Sequence, residues 1–197
     1  MNLSHIKAVI FDLDGTLVDS RLDFDQLRQQ LGFPQGEPIL EYIEQMTCEK
    51  EQELAHKIVS DFEISAAHTA DLMPGALELI NALHRLGYPT AILTRNIKQA
   101  SQMMLENLGL PIDLLLTRED CEPKPSPEGL FIIADKLGLP TRDLIYVGDY
   151  KFDLDTAKNA NMLSCLFDRE GNSPYQEEAD VVIRDLEQLL PMLRFQI

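Results

Sequence analysis

The sequence has little positive charge, few cysteines and no long hydrophobic run. Its 17 lysines and arginines stand against 33 aspartates and glutamates, which gives a formal net charge of −16 at pH 7. A chain with this charge repels DNA, RNA and anionic membrane surfaces. We therefore expect no nucleic-acid or membrane partner, and an anionic substrate would need a cation and local basic residues to offset the field.

The three cysteines, Cys48, Cys121 and Cys165, lie far apart and form neither a CxxC pair nor a Cys/His zinc pattern. Free thiols of this kind are typical of a reducing compartment. The N-terminus has no basic segment followed by a long apolar run, as a secretory signal would. No apolar run approaches the length of a membrane span. These absences predict a cytoplasmic protein.

The 197 residues, 45% of them apolar, are enough for one domain with a modest insertion. Apolar runs that predict buried strands alternate with amphipathic segments that predict helices, a pattern typical of an α/β fold with a parallel sheet flanked by helices. Strands are predicted at 6–11, 90–93, 112–116, 144–147, 163–167 and 181–183. Helices are predicted at 76–86, 128–137, 153–160 and 186–193.

Residues 21–72 interrupt this alternation. Their apolar residues recur at helical spacing and give no strand signal, with helices predicted at 49–59 and 64–72 among others. We interpret this stretch as a small all-helical cap inserted into the main domain. The predicted core then comprises residues 1–20 and 73–197.

Two carboxylates follow the first predicted strand. Asp12 and Asp14 are two positions apart, so on an extended chain they point the same way, and Gly15 then permits a sharp turn. The two acids would repel each other unless a cation or a proton lay between them. A hard divalent cation with oxygen ligands satisfies this requirement.

Other polar side chains follow the later strands, and the carboxyl ends of parallel strands share one edge of the sheet. Each has a structural alternative, because hydroxyls and carboxylates often cap helices and a lysine is usually exposed. Together they offer carboxylates, a hydroxyl, an amide and an ammonium group, which suits Mg²⁺ and a phosphoryl group but neither zinc nor a serine triad. The residues are Thr94, Arg95, Asn96, Lys124, Asp149 and Asp153.

Four segments resemble, in order, the motifs of the haloacid dehalogenase superfamily of phosphohydrolases. They are FDLDGTLVDS at 11–20, LTRN at 93–96, KPSP at 124–127 and GDYKFD at 148–153. The chain otherwise resembles the phosphoglycolate phosphatases, although its insertion looks shorter than theirs. The resemblance implies a Rossmann-like core with a cap after the first motif, and a phosphatase that cleaves a small phosphate monoester.

The resemblance also implies a role for each polar residue. Asp12 would be the nucleophile that forms an aspartyl-phosphate, and Asp14 the acid and base. Thr94 would bind a phosphoryl oxygen, and Lys124 would neutralise charge. The expected Mg²⁺ site comprises Asp12, Asp14 through its backbone carbonyl, Asp149 and Asp153. The expected substrate contacts are Gly15, Thr94, Arg95, Asn96 and Lys124, although Arg95 departs from the usual threonine–asparagine pair and could instead be a surface base.

Other functions use some of the same residue types. A dehalogenase would not need Asp14, and a phospho-acceptor signalling domain has its acids in another order and lacks a cap. A phosphomutase of the same family, or a non-catalytic protein that binds a phosphorylated ligand, remains open. We expect a small phosphorylated metabolite as partner and a monomer or homodimer.

Overall fold

The computed structural model describes residues 3–193 and contains a six-stranded, all-parallel sheet in the order β5-β4-β1-β6-β7-β8. This confirms the predicted α/β class with a Rossmann-like sheet. The strands are β1 (Ala8–Phe11), β4 (Thr90–Leu93), β5 (Leu114–Leu116), β6 (Leu144–Gly148), β7 (Leu163–Phe167) and β8 (Val181–Ile183). The two remaining strands, β2 (Val18–Asp19) and β3 (Asp71–Leu72), form a separate antiparallel pair.

Helices cover both faces of the sheet, which is why the central strands are apolar throughout. Alternate residues of β1 enter opposite layers: Val9 and Phe11 pack in one hydrophobic cluster, and Ala8 and Ile10 in the other. The first layer contains α4 (Ala76–Arg85), α5 (Lys98–Leu108) and α8 (Leu189–Leu193). The second contains α6 (Glu128–Leu137) and α7 (Lys151–Asn159).

The strand order reverses at β1, which pairs with β4 on one side and β6 on the other. The chain therefore leaves the carboxyl ends of these three strands in different directions and opens a crevice between their loops. Asp12 begins one of these loops, and its N–H donates to the carbonyl of Val147 in β6 at 2.8 Å. The crevice is the site that the fold makes available to a ligand.

Three helices lie between β2 and β3: α1 (Phe24–Leu31), α2 (Ile39–Glu44) and α3 (Glu49–Ala67). They have an apolar cluster of their own, centred on Leu27, Ile43 and Val59. The expected division into a cap at 21–72 and a core at 1–20 and 73–197 stays a prediction. Residues 1–2 and 194–197 of that core lie outside the described part of the chain.

The structure corrects the prediction at the end of the insertion. A single helix runs from Glu49 to Ala67 where two were predicted, because no glycine or proline interrupts it. The prediction that 21–72 contains no strand was also wrong, since Asp71 and Leu72 form β3 and pair with β2. Smaller differences are that β5 begins at Leu114, α7 begins at Lys151, and a 3₁₀ turn precedes the short α8.

Within residues 3–193, no helix combines the length and the apolar character needed to cross a membrane.

Candidate active site

The polar residues predicted from the strand ends converge on one cleft of about 840 Å³. It lies at the carboxyl edge of β1, β4 and β6 and is bounded on its other side by residues of α1, α2 and α3. Gly15, alone among the residues predicted for the site, does not line it. The predicted residues that do are Asp12, Asp14, Thr94, Arg95, Asn96, Lys124, Asp149 and Asp153.

Lys124 lies at the centre of the buried part of the cleft. Its Nζ donates to Asp12 Oδ1 and to Asp153 Oδ1, both at 2.6 Å, and its side chain is only 5% exposed. Burial disfavours the ammonium, but the charges of Asp12 and Asp153 outweigh burial and raise the pKa of Lys124. The lysine is therefore a fixed positive charge that touches the side chain of Asp12.

Three carboxylates form an acidic cluster around this lysine. One oxygen from each of Asp12, Asp149 and Asp153 can be chosen so that all three lie within 4.8 Å of one another. Burial raises the pKa of Asp12 well above its usual range. Burial, with the nearby charge of Asp153, raises the pKa of Asp149 to about 7. Lys124 alone therefore does not compensate for the burial and mutual repulsion of the three carboxylates.

The oxygens of Asp153 already have donors. Oδ1 accepts from Lys124 and from the Tyr146 hydroxyl at 3.0 Å, and Oδ2 accepts from the Tyr150 N–H at 3.0 Å. Asp149 has no such set of side-chain donors among the hydrogen bonds of residues 3–193, and it lies at the start of the loop before α7. Asp12 and Asp149 therefore have more free acceptor capacity than Asp153.

Asp14 is held on the other side of the cleft by the loop after β4. Its Oδ2 accepts from Asn96 Nδ2 at 2.5 Å, while the Asn96 N–H donates to Thr94 Oγ1 at 3.2 Å. Its Oδ1 is buried and, within residues 3–193, has no hydrogen-bond partner. Burial raises the pKa of Asp14, and hydrogen bonds from Ser20 and Asn96 oppose this rise only in part. A buried carboxyl group with a raised pKa has the properties of a proton donor.

Gly15 was predicted to contact the substrate, but it lies outside the lining of the cleft. Its N–H donates to the Val18 carbonyl at 2.8 Å and is therefore not free for a substrate. Its φ of +80° is in the left-handed region, and a Cβ atom there would lie 2.3 Å from Asp149 Oδ2. The glycine is required because the turn after Asp14 passes directly against the Asp149 carboxylate.

Arg95 joins the core to the helices above the cleft. Its Nη2 lies 2.7 and 2.8 Å from the two oxygens of Glu41 in α2, and its Nη1 donates to the Lys124 carbonyl at 3.1 Å. Its guanidinium also lies over the ring of Phe152, 4.5 Å from the centroid. A second pair lies beside it, since Arg118 Nη1 is 2.6 Å from Glu63 Oε1 in α3.

The sequence did not point to several residues that lie in the walls of the cleft or directly behind them. Tyr146 is buried in β6, and its hydroxyl donates to the Leu93 carbonyl at 2.9 Å as well as to Asp153. Tyr150 and Phe152 form an aromatic rim, and Glu41 and Glu63 come from the insertion. A signal for Tyr150 and Phe152 existed, because both lie inside the GDYKFD segment, but no sequence pattern pointed to the two glutamates.

A buried lysine between carboxylates, at the switch point of a parallel sheet, is an arrangement that suits an anionic ligand such as a phosphoryl group. The profile of the haloacid dehalogenase-like hydrolases matches residues 9–167. The chain belongs to that family, and its relatives and structural neighbours identify it as a phosphatase of the haloacid dehalogenase type.

The similarities cover almost the whole chain. An uncharacterized hydrolase of Saccharomyces cerevisiae is 29% identical over 98% of this chain and 93% of its own length. A phosphoglycolate phosphatase of Vibrio vulnificus is 30% identical over 98% of both chains. The crystal structure of a phosphatase of this superfamily from Thermococcus onnurineus superposes with a TM-score of 0.71, at 25% identity, over 96% of this chain and 98% of the other.

Proposed function

We propose that this phosphatase cleaves a small-molecule phosphate monoester through an aspartyl-phosphate on Asp12, and that it requires Mg²⁺. The observation that carries the proposal is the contact between Lys124 Nζ and Asp12 Oδ1 at 2.6 Å inside the cleft. An anionic nucleophile can approach an anionic phosphate only where positive charge is fixed beside it.

Two proton-coupled steps follow. An oxygen of Asp12 attacks phosphorus, the bond to the ester oxygen breaks, and the Asp14 carboxyl gives its proton to the departing alcohol. The Asp14 carboxylate then takes a proton from a water molecule that attacks phosphorus, which releases phosphate and restores Asp12. The raised pKa of Asp14, caused by burial, suits the first step, and the amide of Asn96 holds the carboxyl in position.

The residues of the acidic cluster fit a hard divalent cation. The donors are all oxygens, one oxygen from each of three carboxylates lies within 4.8 Å of the others, and the raised pKa of Asp149 shows that Lys124 does not fully compensate the cluster. We propose that Asp12, Asp149 and the Asp14 backbone carbonyl hold Mg²⁺, and that Asp153 supports them through Lys124 and Tyr146. When bound, the ion neutralises charge on the phosphoryl oxygens.

The hydroxyl of Thr94 and the ammonium of Lys124 are proposed to bind the phosphoryl oxygens. Thr94 Oγ1 accepts one hydrogen bond from the Asn96 N–H, which leaves its own proton free to donate. We further propose that helices α1–α3, within residues 21–72, act as the cap that keeps water out and selects the alcohol. A cytoplasmic location and a monomeric or homodimeric state stay predictions.

The test is to trap the intermediate. We expect phosphate release from p-nitrophenyl phosphate to depend on Mg²⁺ and to stop on chelation. In Asp14→Asn the nitrophenolate leaves without a proton, but water is no longer activated, so one equivalent of nitrophenolate should appear in a burst before slow turnover. Borohydride reduction of the acid-quenched protein should convert Asp12 to homoserine, read by mass spectrometry. Modification at any other aspartate would refute the assignment.

Gly15→Ala should weaken Mg²⁺ binding through Asp149. The added methyl would lie 2.3 Å from Asp149 Oδ2, so the carboxylate must move. We expect the Mg²⁺ concentration for half-maximal activity to rise about 10- to 100-fold, as when an outer-shell partner of a metal ligand is lost. Activity measured across an Mg²⁺ titration gives this value.

Gly87→Ala is the matched control. Gly87 has the same φ of +80°, but a Cβ atom there would meet nothing within 4 Å. Both variants carry the backbone strain, on the order of 1–3 kcal/mol, and only Gly15→Ala carries the clash. An equal Mg²⁺ dependence in the two variants would show that the close approach to Asp149 does not matter.

A further inference from the structure

The basic side chains that line the cleft are already paired. Arg21 contacts Asp71, Arg28 Nη1 lies 2.8 Å from Asp25 Oδ1, and Arg95 contacts both oxygens of Glu41. Lys124, the fourth of the cations that line the cleft within residues 3–193, contacts Asp12 and Asp153. A substrate that enters the cleft therefore meets no cation without a carboxylate partner.

Carboxylates outnumber cations in the same lining by eight to four. Part of this excess belongs to the acidic cluster at the phosphoryl site. On the side of the cleft away from this cluster, the lining carboxylates are Asp23, Asp25, Glu41 and Glu63, and the lining cations are the three arginines. Glu63 pairs with Arg118, which lies outside the lining. Asp23 uses one oxygen to cap α1 through the Gln26 N–H at 2.9 Å, and its side chain is exposed. This half of the cleft has no net positive charge to offer a second anionic group.

Arg95 directly follows Thr94 in the loop after β4, and its guanidinium contacts α2 of the insertion. It is fixed at three points: the Glu41 carboxylate, the Lys124 carbonyl and the Phe152 ring. Both oxygens of Glu41 accept from a single guanidinium nitrogen, Nη2. A substrate carboxylate that approaches the guanidinium would therefore compete with Glu41 and lie beside its negative charge.

We propose that the Glu41–Arg95 pair is a charge filter that selects an uncharged, hydroxyl-bearing alcohol and disfavours one that carries a carboxylate. The inference rests on the proposed function and names the class of its substrate. Hydroxyl groups can donate to the remaining lone pairs of Glu41 and Asp23. The C–H surface of such an alcohol can pack on Tyr150 and Phe24, which line the cleft and are each 50% exposed.

Two substrates of equal size test the filter: 2-phosphoglycolate, which carries a carboxylate, and 2-hydroxyethyl phosphate, which has a hydroxymethyl group in its place. We expect the wild-type protein to have a kcat/KM at least about tenfold higher for 2-hydroxyethyl phosphate, the effect of one partly screened like-charge contact. Glu41→Gln frees the guanidinium and should reduce this preference about tenfold.

Two further variants show whether Arg95 is responsible. Glu44→Gln makes the same change on the same helix, at an exposed residue outside the cleft whose ion-pair partner is His56, and it should leave the preference unchanged. The double variant Glu41→Gln/Arg95→Met removes the freed cation as well. It should therefore lose the gain in 2-phosphoglycolate hydrolysis seen in Glu41→Gln.

The outcomes separate the filter from the proposed function. An equal or higher kcat/KM for 2-phosphoglycolate in the wild type, or a Glu41→Gln preference equal to that of Glu44→Gln, would overturn the filter. If the protein hydrolyses none of the three esters, p-nitrophenyl phosphate included, the proposed function is overturned instead. In that case, calorimetric titration of both esters into the protein still decides the filter: tighter binding of 2-hydroxyethyl phosphate supports it, and tighter binding of 2-phosphoglycolate refutes it.

Discussion

Asp12→Asn should lower kcat for p-nitrophenyl phosphate at least about 10⁴-fold while the protein stays folded. Loss of a nucleophile removes the only route through a covalent intermediate, and such losses in other enzymes are of this size or larger. The asparagine amide is nearly the same size as the carboxylate but cannot attack phosphorus. A single-turnover assay that follows nitrophenolate and phosphate separately measures the loss of both steps.

The fold should survive this change because the structure does not depend on the Asp12 charge. Lys124 keeps its contact with Asp153 at 2.6 Å. Burial raises the pKa of Asp12, which means that its charged form is disfavoured in the folded protein. We therefore expect the Tm of Asp12→Asn at pH 7 to equal that of the wild type or to exceed it.

Asp143→Asn provides the control for this substitution. Asp143 pairs with Lys7 at 2.6 Å just before β6 begins, at the opposite edge of the sheet from the cleft. The activity of Asp143→Asn should match that of the wild type. Deamidation of the introduced asparagine would restore aspartate and raise the mass by about 1 Da, so mass spectrometry must first show that this has not occurred. Turnover of Asp12→Asn above about one per cent of wild type would then rule out Asp12 as the nucleophile.

The parallel sheet was predictable because its strands are buried on both faces. Such strands are short apolar runs that end at glycine or a polar residue, and β7 and β8 were predicted at their observed bounds. The helix α6 was also predicted at its observed bounds, since Pro127 and Gly138 flank it. Local chemistry fixes these elements, so a single sequence contains the necessary information.

The pair β2–β3 was not predictable by the same means. Asp71 and Leu72 are too few to show alternation, and their partners Val18 and Asp19 lie before the whole insertion. The strand exists because the ends of the insertion are brought together in space. That closure depends on how α1–α3 pack, which hydrophobic periodicity does not give.

The sequence was sufficient to predict that the site residues lie close together, but not which contacts they make. Strand ends of a parallel sheet share one edge, so Asp12, Thr94 and Asp149 had to be near one another. The link between Tyr146 and Asp153 depends on side-chain direction within β6 and the first turn of α7. Glu41 reaches Arg95 only because of the way the insertion docks, so its part in the cleft could come only from the structure.

Lys124→Met should destabilise the protein as well as inactivate it. The side chains of Asp12 and Asp153 are 8% and 2% exposed, and Lys124 is the basic residue that contacts both. Removal of one partner from buried ion pairs typically costs about 3–5 kcal/mol, because the remaining charge is left without compensation. For a chain of this length, that loss lowers the Tm by roughly 10 °C. Thermal unfolding at pH 7 in the presence of a chelator measures it.

The loss of stability in Lys124→Met should increase as the pH rises. Burial raises the pKa of Asp12 even in the wild type, and removal of the ammonium takes away an opposing charge. The folded variant therefore binds more protons than the unfolded chain between their two pKa values, so its stability falls as pH rises through that window. We expect the deficit relative to the wild type to be larger at pH 8 than at pH 5, and Mg²⁺ to reduce it.

Lys98→Met is the matched control, because Lys98 also forms a close ion pair, 2.8 Å from Asp120, but on the surface. Solvent screens such a pair, so its loss should leave the Tm almost unchanged. The contrast tests whether the charge of Lys124 holds the buried carboxylates together. Equal Tm values for the two variants would mean that Asp12 and Asp153 tolerate burial without the lysine, and the electrostatic basis of the proposed mechanism would fail with that result.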